Sequence, residues 1–177
     1  MSRLQYQCSM SLDGFIAGPG GDMSWATPYL TDDAGLTADL VPQVGALFVG
    51  ARTFRGDDPN RGTDQEGAYG GQWSGPSVVL THHAPAEPVP DVTFSDDLAT
   101  AVATARAAAG DRLVAVLGAD VARQCVEAGL LDEILVTIVP VLLGDGVRLF
   151  HRPGGAPVPL DLVEQRGRTL LLRLPAR

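Results

Sequence analysis

Short apolar runs that give way to helical periodicity recur along this chain, and that alternation restricts its fold more than any other feature. The clearest case is LVAVLGADVARQC at 113–125, where an apolar run stops at Gly118 and a pattern suited to a helix begins at once. The run is too short for a helix and apolar on both faces, which suits a strand buried in a parallel sheet. RLVAVL (112–117) therefore predicts a strand and ADVARQCVEAG (119–129) a helix ending at Gly129. LQYQCSMSL (4–12), VGALFVG (44–50), SVVLT (77–81) and DEILVTIV (132–139) predict further strands. Ser95-Asp96 is the expected cap of an alanine-rich helix that stops at Gly110, and 31–42 reads as a weaker helix with Thr31 or Asp32 as its cap. AGPGGD (17–22) is a glycine-rich turn, and Arg55 to Pro76 reads as one long loop, a length usually reserved for function. VPLDLVEQ and RTLLLRL flank Gly167 as a closing hairpin. The expected fold class is α/β, one domain over 1–177, with a mostly parallel central sheet and an antiparallel C-terminal hairpin.

Charge narrows the chemistry. All 13 basic residues are arginine, against 21 acidic ones, a formal net charge of −8. Without lysine there is neither a Walker A loop nor a Schiff base. An acidic chain lacks the basic footprint of a nucleic-acid binder, although a local arginine pocket for one phosphate suits a guanidinium. Cys8 and Cys125 stand in apolar runs, and no Cys/His spacing resembles a zinc site. His82 and His83 would point to opposite faces if extended, so no metal centre is expected. No apolar stretch is long enough to span a bilayer, and the N-terminus lacks the apolar core of a signal peptide. The expectation is a cytoplasmic protein with a small-molecule substrate and neither nucleic acid nor membrane as a partner.

Three strands end in small or polar groups: FVG-ART at 48–53, VVL-THH at 78–83 and AVL-GAD at 115–120. If these strands are parallel neighbours, the turns gather on one edge of the sheet. Backbone N–H groups, two hydroxyls and a guanidinium would then meet, a set suited to a phosphorylated cofactor. Asp57-Asp58-Pro59 reads as a turn or as a carboxylate at a strand's carboxyl end. Asp32-Asp33 reads as a helix cap or as an acid.

SLDGFIAGPGGDMSW (11–25), VGARTFRGDDP (49–59), SVVLTH (77–82), AVLGADVARQ (115–124) and ILVTIVPVLLGDGVRLF (134–150) occur in that order. Together they resemble the dihydrofolate reductase-like superfamily, and most nearly the stand-alone relatives of the RibD C-terminal reductase domain. The resemblance runs over nearly the whole chain. It implies a three-layer α/β/α fold, a homodimer, and an NADPH-dependent reductase acting on a small pterin- or riboflavin-precursor-like heterocycle. By the same resemblance Gly50, Arg52 and Thr53 bind cofactor phosphates, and Thr81 with His82 approaches the adenosine 2′-phosphate. Leu117, Gly118, Ala119 and Asp120 support the pyrophosphate and nicotinamide, and Ile16 and Ala17 border the nicotinamide. Thr137 orients the substrate, and Asp57 or Asp58 binds a substrate hydroxyl. Tyr69 and Trp73, in the loop 68–76, wall the substrate or merely pin a surface loop.

Two features depart from the family pattern. Ala119 stands where the turn often has a second glycine. The segment WATPYLTDDAGLTADL is longer than the first helix of dihydrofolate reductases, and no single aspartate falls in register. Asp32, Asp33 or neither would serve as the acid. A genuine dihydrofolate reductase and a nucleotide-binding protein without turnover are the alternative functions.

Overall fold

The computed structural model describes residues 2–30, 39–56, 62–64 and 66–175. Asp32, Asp33, Asp57 and Asp58 lie outside the described residues, as does most of the helix expected at 31–42. The end of that expected helix is different: Val41–Gln43 forms a 3₁₀ turn, with Pro42 inside it.

Ten strands form. They are β1 (Leu4–Ser11), β2 (Phe15–Ala17), β3 (Val44–Gly50), β4 (Ser77–Leu80), β5 (Val92–Ser95), β6 (Leu113–Leu117), β7 (Glu133–Val139), β8 (Val147–Arg148), β9 (Asp161–Arg166) and β10 (Thr169–Arg173). The helices are α1 (Thr27–Leu30), α2 (Ala51–Arg55), α3 (Leu98–Ala109) and α4 (Ala119–Ala128). Eight strands make the central sheet in the order β5-β4-β3-β6-β1-β7-β10-β9, and β2 pairs with β8 apart from it. From β5 to β7 every neighbouring pair is parallel. β10 runs antiparallel to β7 and β9, which is the closing hairpin. The fold is a three-layer α/β/α arrangement around a mostly parallel sheet.

Side chains alternate across each strand, so the sheet has two distinct interiors. Leu4, Tyr6, Ala46, Phe48, Val78, Val114, Val116, Ile134 and Val136 face α3 and α4. The helices meet them with Ala101, Val102, Ala105, Val121, Ala122 and Cys125, all buried. Small alanines let the helix axes lie close to the strands. The other face buries Val44, Leu47, Val49, Val79, Ala115 and Leu135, with Tyr69 and Trp73 packed against them.

The cap of α3 is Asp97 rather than Ser95 or Asp96: its Oδ1 accepts from the Thr100 N–H at 2.7 Å. Ser95 is the last residue of β5 and accepts the Asp97 N–H instead. β5 escapes a sequence reading because VTFS is short and follows a proline-rich loop.

Candidate active site

β3 and β6 are neighbours in the sheet, but the chain leaves them in opposite directions, from β3 outward to β4 and from β6 past β1 to β7. Adjacent parallel strands whose exits diverge leave a crevice at their carboxyl ends, where open α/β sheets take ligands. The register Val49↔Leu117 brings the two strand ends level, and Gly50↔Leu80 adds β4. The three turns picked out in the sequence therefore do share one edge.

Within the crevice the contacts are close. Gly118 has φ +102°, and a Cβ on it would lie 2.5 Å from Thr53 Oγ1. Only a bare backbone fits there, both for conformation and for space. Gly118 is the N-cap of α4, so the unpaired N–H groups of that helix open into the crevice beside the Thr53 hydroxyl. Gly50 caps α2 in the same way, and Arg52 and Thr53 lie on that one turn. Asp120 is held by its own helix: Arg123 Nη2 is 2.8 Å away and Gln124 donates at 2.9 Å. These bonds, the Arg123 one foremost, hold its carboxyl below the usual range, and the nearby Arg52 charge adds to the effect.

Beyond β4 a hollow of about 260 Å³ is lined by Phe54, Arg55, Val79, Thr81, His83 and Phe94, among others. Phe54 of α2 meets Phe94 of β5 edge-on, with ring centroids 5.5 Å apart. Thr81 Oγ1 accepts the His83 N–H at 3.1 Å. His82 is exposed and lies outside the lining.

Ile16 and Ala17 follow the carboxyl end of β1, in the strand that pairs with β8. Asp13 ties this segment down. Its carboxylate accepts the Ser11 hydroxyl at 2.6 Å, the Leu143 N–H at 3.1 Å and the Gly144 N–H at 2.7 Å. Ser11 foremost, with the two backbone donors, lowers the Asp13 carboxyl to about 2. Gly146 has φ +133°, and any Cβ there would overlap the Ala17 carbonyl oxygen. Arg148 lies over the Phe15 ring, 4.5 Å from its centroid.

A polar row crosses the loop-covered face of β1 and β7. Gln5, Gln7 and Ser11 of β1 are buried, and so are Glu133 and Thr137 of β7 and Thr169 of β10. Thr137 stands opposite Ser9, and its hydroxyl is 2.8 Å from that of Thr169. Glu133 Oε1 is 3.3 Å from Arg3 and 3.2 Å from Arg173. Tyr69, half-buried, donates its hydroxyl to Gln7 Oε1. Trp73 donates to the Val44 carbonyl at 3.0 Å, at the amino end of β3 and far from the crevice. It therefore pins the loop, whereas Tyr69 reaches the site.

The structure thus brings Gly50, Arg52, Thr53, Leu117, Gly118, Ala119 and Asp120 together, with Thr81 on the same edge. Ile16, Ala17 and Thr137 lie further along that edge, beside β1. Sequence reasoning missed the polar row. Its signal was the alternation of LQYQCSMS, which puts Gln5, Gln7, Ser9 and Ser11 on one face of a strand central to the sheet. No group of three or more potential metal ligands occurs among the described residues. No helix among them is long and apolar enough to cross a membrane.

The RibD C-terminal domain family model matches residues 3–168. The protein YwjB of Bacillus subtilis, itself described as uncharacterized, is 25% identical over 147 residues, covering 81% of this chain and 79% of its own. A putative riboflavin biosynthesis protein from Shewanella sp. PV-4 superposes with a TM-score of 0.72 at 22% identity, over 99% of both chains. The diaminohydroxyphosphoribosylaminopyrimidine deaminase/5-amino-6-(5-phosphoribosylamino)uracil reductase of Thermotoga maritima superposes with a TM-score of 0.68 at 20% identity. That match covers 98% of this chain and 57% of the Thermotoga chain.

Proposed function

This chain belongs to the RibD C-terminal domain family, and on that premise we propose that it is an NADPH-dependent reductase of a small heterocycle related to pterins or riboflavin precursors. The observation that carries the reading is the crevice at Gly118. There a turn that admits no side chain, a helix N-terminus, a threonine hydroxyl and an arginine meet at the switch point of the sheet. That donor set, without a lysine or a metal cluster among the described residues, suits a dinucleotide phosphate.

In this reading Gly50, Arg52 and Thr53 hold phosphate oxygens through backbone N–H, guanidinium and hydroxyl. The Leu117–Asp120 turn supports the pyrophosphate and nicotinamide. Thr81, with His82 or His83, takes the adenosine end. Ile16 and Ala17, braced by the Asp13 bonds and by Gly146, close over the nicotinamide and exclude water. A bound reduced nicotinamide supplies the hydride. Thr137, whose hydroxyl is oriented by Thr169, positions a polar group of the substrate. Asp32, Asp33 or neither hands on the proton, and Asp57 or Asp58 binds a substrate hydroxyl. The exposed Leu162 and Val163 on the edge strand β9 support a homodimer.

The test is titration of the purified protein with NADPH and NADH, followed by nicotinamide fluorescence. NADPH should bind the more tightly, and Arg52→Ala should weaken it by about tenfold or more, roughly 1.4 kcal/mol. Failure of both nucleotides to bind would sink the reading. Binding without oxidation in the presence of dihydrofolate and of aminated pyrimidines would favour a protein that has kept the nucleotide site without turnover.

A further inference from the structure

We propose that Tyr69 determines substrate specificity by presenting a hydrogen-bond acceptor to the substrate, and that a chain of buried side chains ending on Glu133 holds it in that role. The proposal rests on the reading of the loop-covered face of β1 and β7 as the substrate side.

The chain begins at its buried end. Glu133 is 1% exposed, and both guanidinium groups that reach it, from Arg3 and Arg173, approach one oxygen, Oε1. A carboxylate paired in this way can only accept. Its other oxygen takes a hydrogen bond from Gln5 Nε2 at 3.1 Å. The Gln5 amide is thereby oriented, and its carbonyl oxygen points onward. Gln7 Nε2 donates to that oxygen at 3.0 Å. The Gln7 amide is oriented in turn, and its own carbonyl is left to accept the Tyr69 hydroxyl. Every donor direction along the chain follows from the one charge at its end.

Two consequences reach the site. The Tyr69 proton is already directed at Gln7, so only the lone pairs of its oxygen remain for anything else. Burial raises the Tyr69 hydroxyl well above its ordinary pKa, so it stays neutral at physiological pH. Location makes this matter. Tyr6 pairs with Val116, so Gln7, one residue on, stands abreast of Leu117 and next to the Gly118 crevice. Tyr69 is half-buried and has φ +56°, a backbone conformation rare for a non-glycine residue, so the loop is bent to put this ring there. The chain runs from a buried charge outward to the phenol of a half-buried tyrosine.

A substrate edge bearing N–H groups, such as an exocyclic amine or a ring N–H, would complete this arrangement. A carbonyl or ether edge would set lone pair against lone pair. The chemical class selected is therefore an aminated heterocycle that offers a donor to Tyr69.

The test titrates 2-aminopyrimidine and 2-methylpyrimidine, equal in shape but not in donors, into the full chain by ligand-observed NMR. Titrations are run with and without saturating NADPH. The wild type should prefer the amine by about tenfold. Tyr69→Phe should bring the ratio to about one while NADPH affinity stays as it was. Gln7→Leu, which frees the phenol proton to turn outward, should also lower the ratio, and a retained thermal unfolding transition identifies variants that fold. A Tyr69→Phe variant that keeps the preference would overturn the proposal. So would a wild type that shows no preference, favours the methyl probe or binds neither. If NADPH fails to bind, the reductase reading falls, and the ratio in nucleotide-free protein still decides the role of Tyr69.

Discussion

The two faces of the central sheet are built from alternate residues of the same strands, yet they differ in kind. Beneath α3 and α4 the strands present Tyr6, Phe48, Val114, Val116 and Val136, sealed by alanines and valines of the helices. On the opposite face β1 presents Gln5, Gln7, Ser9 and Ser11, and β7 adds Glu133 and Thr137. The first face is dominated by apolar contacts of the kind that hold a domain together. On the second, polar groups are buried under a loop and must find partners, each with a direction. The contrast separates stability from recognition: one period-2 pattern supplies both, on opposite sides of a single layer of backbone.

The largest expected effect breaks the first face. Phe48 is fully buried against α3 and α4, and Phe48→Ala should cost about 3–5 kcal/mol of folding stability. Urea unfolding followed by circular dichroism would measure it. Fluorescence titration at a temperature where the variant remains folded should show NADPH affinity nearly unchanged.

The crevice should behave the other way. Gly118→Val places a branched side chain at φ +102°, with its Cβ 2.5 Å from Thr53 Oγ1. Backbone strain of about 1–3 kcal/mol is expected. NADPH affinity should fall further than stability, by about a hundredfold or more, some 2.7 kcal/mol. Equal losses of stability and affinity would erase the distinction between the two regions.

A smaller effect sharpens the second face. Thr137→Val keeps the shape but leaves the Thr169 hydroxyl without its partner. The stability cost should be about 1 kcal/mol. Substrate KM should rise while NADPH affinity holds, as steady-state kinetics and titration would record.

The smallest concerns acid. The Asp13 carboxyl is lowered to about 2 in the folded chain, below the unfolded value near 3.8. Its contribution is therefore complete above about pH 4 and lost as the pH falls through 2. Thermal midpoints measured from pH 6 to pH 2 should fall over that window, and Asp13→Asn should lower the neutral midpoint and flatten that part of the curve.

Much of the frame was legible in the residues because apolar periodicity is a local property. The strands expected at 44–50, 77–81, 112–117 and 132–139, the helix after Gly118 and the hairpin about Gly167 all follow from it. The grouping of the FVG-ART, VVL-THH and AVL-GAD turns followed once the strands were taken as parallel neighbours. Short elements were not legible. α2, β5 and the β2–β8 pair each have too few residues for a period to show, and they exist because neighbours hold them. Asp97 displaced the expected cap for the same reason, since β5 ends at Ser95. Trp73, expected as a wall or a pin, is the pin because its indole reaches the Val44 carbonyl from across the loop.

The sequence by itself determined the α/β class, the parallel character of the sheet, the exclusion of lysine chemistry and the family. Those properties are carried by composition and by patterns a few residues long. Only the tertiary structure decided that Gly118 backs onto Thr53, that Asp13 grips the 143–144 turn, and that Glu133, Gln5, Gln7 and Tyr69 form one directed chain. Apart from the Gln5–Gln7 link, each of these contacts joins residues far apart along the chain, and the direction of a hydrogen bond depends on which partner lies at its other end.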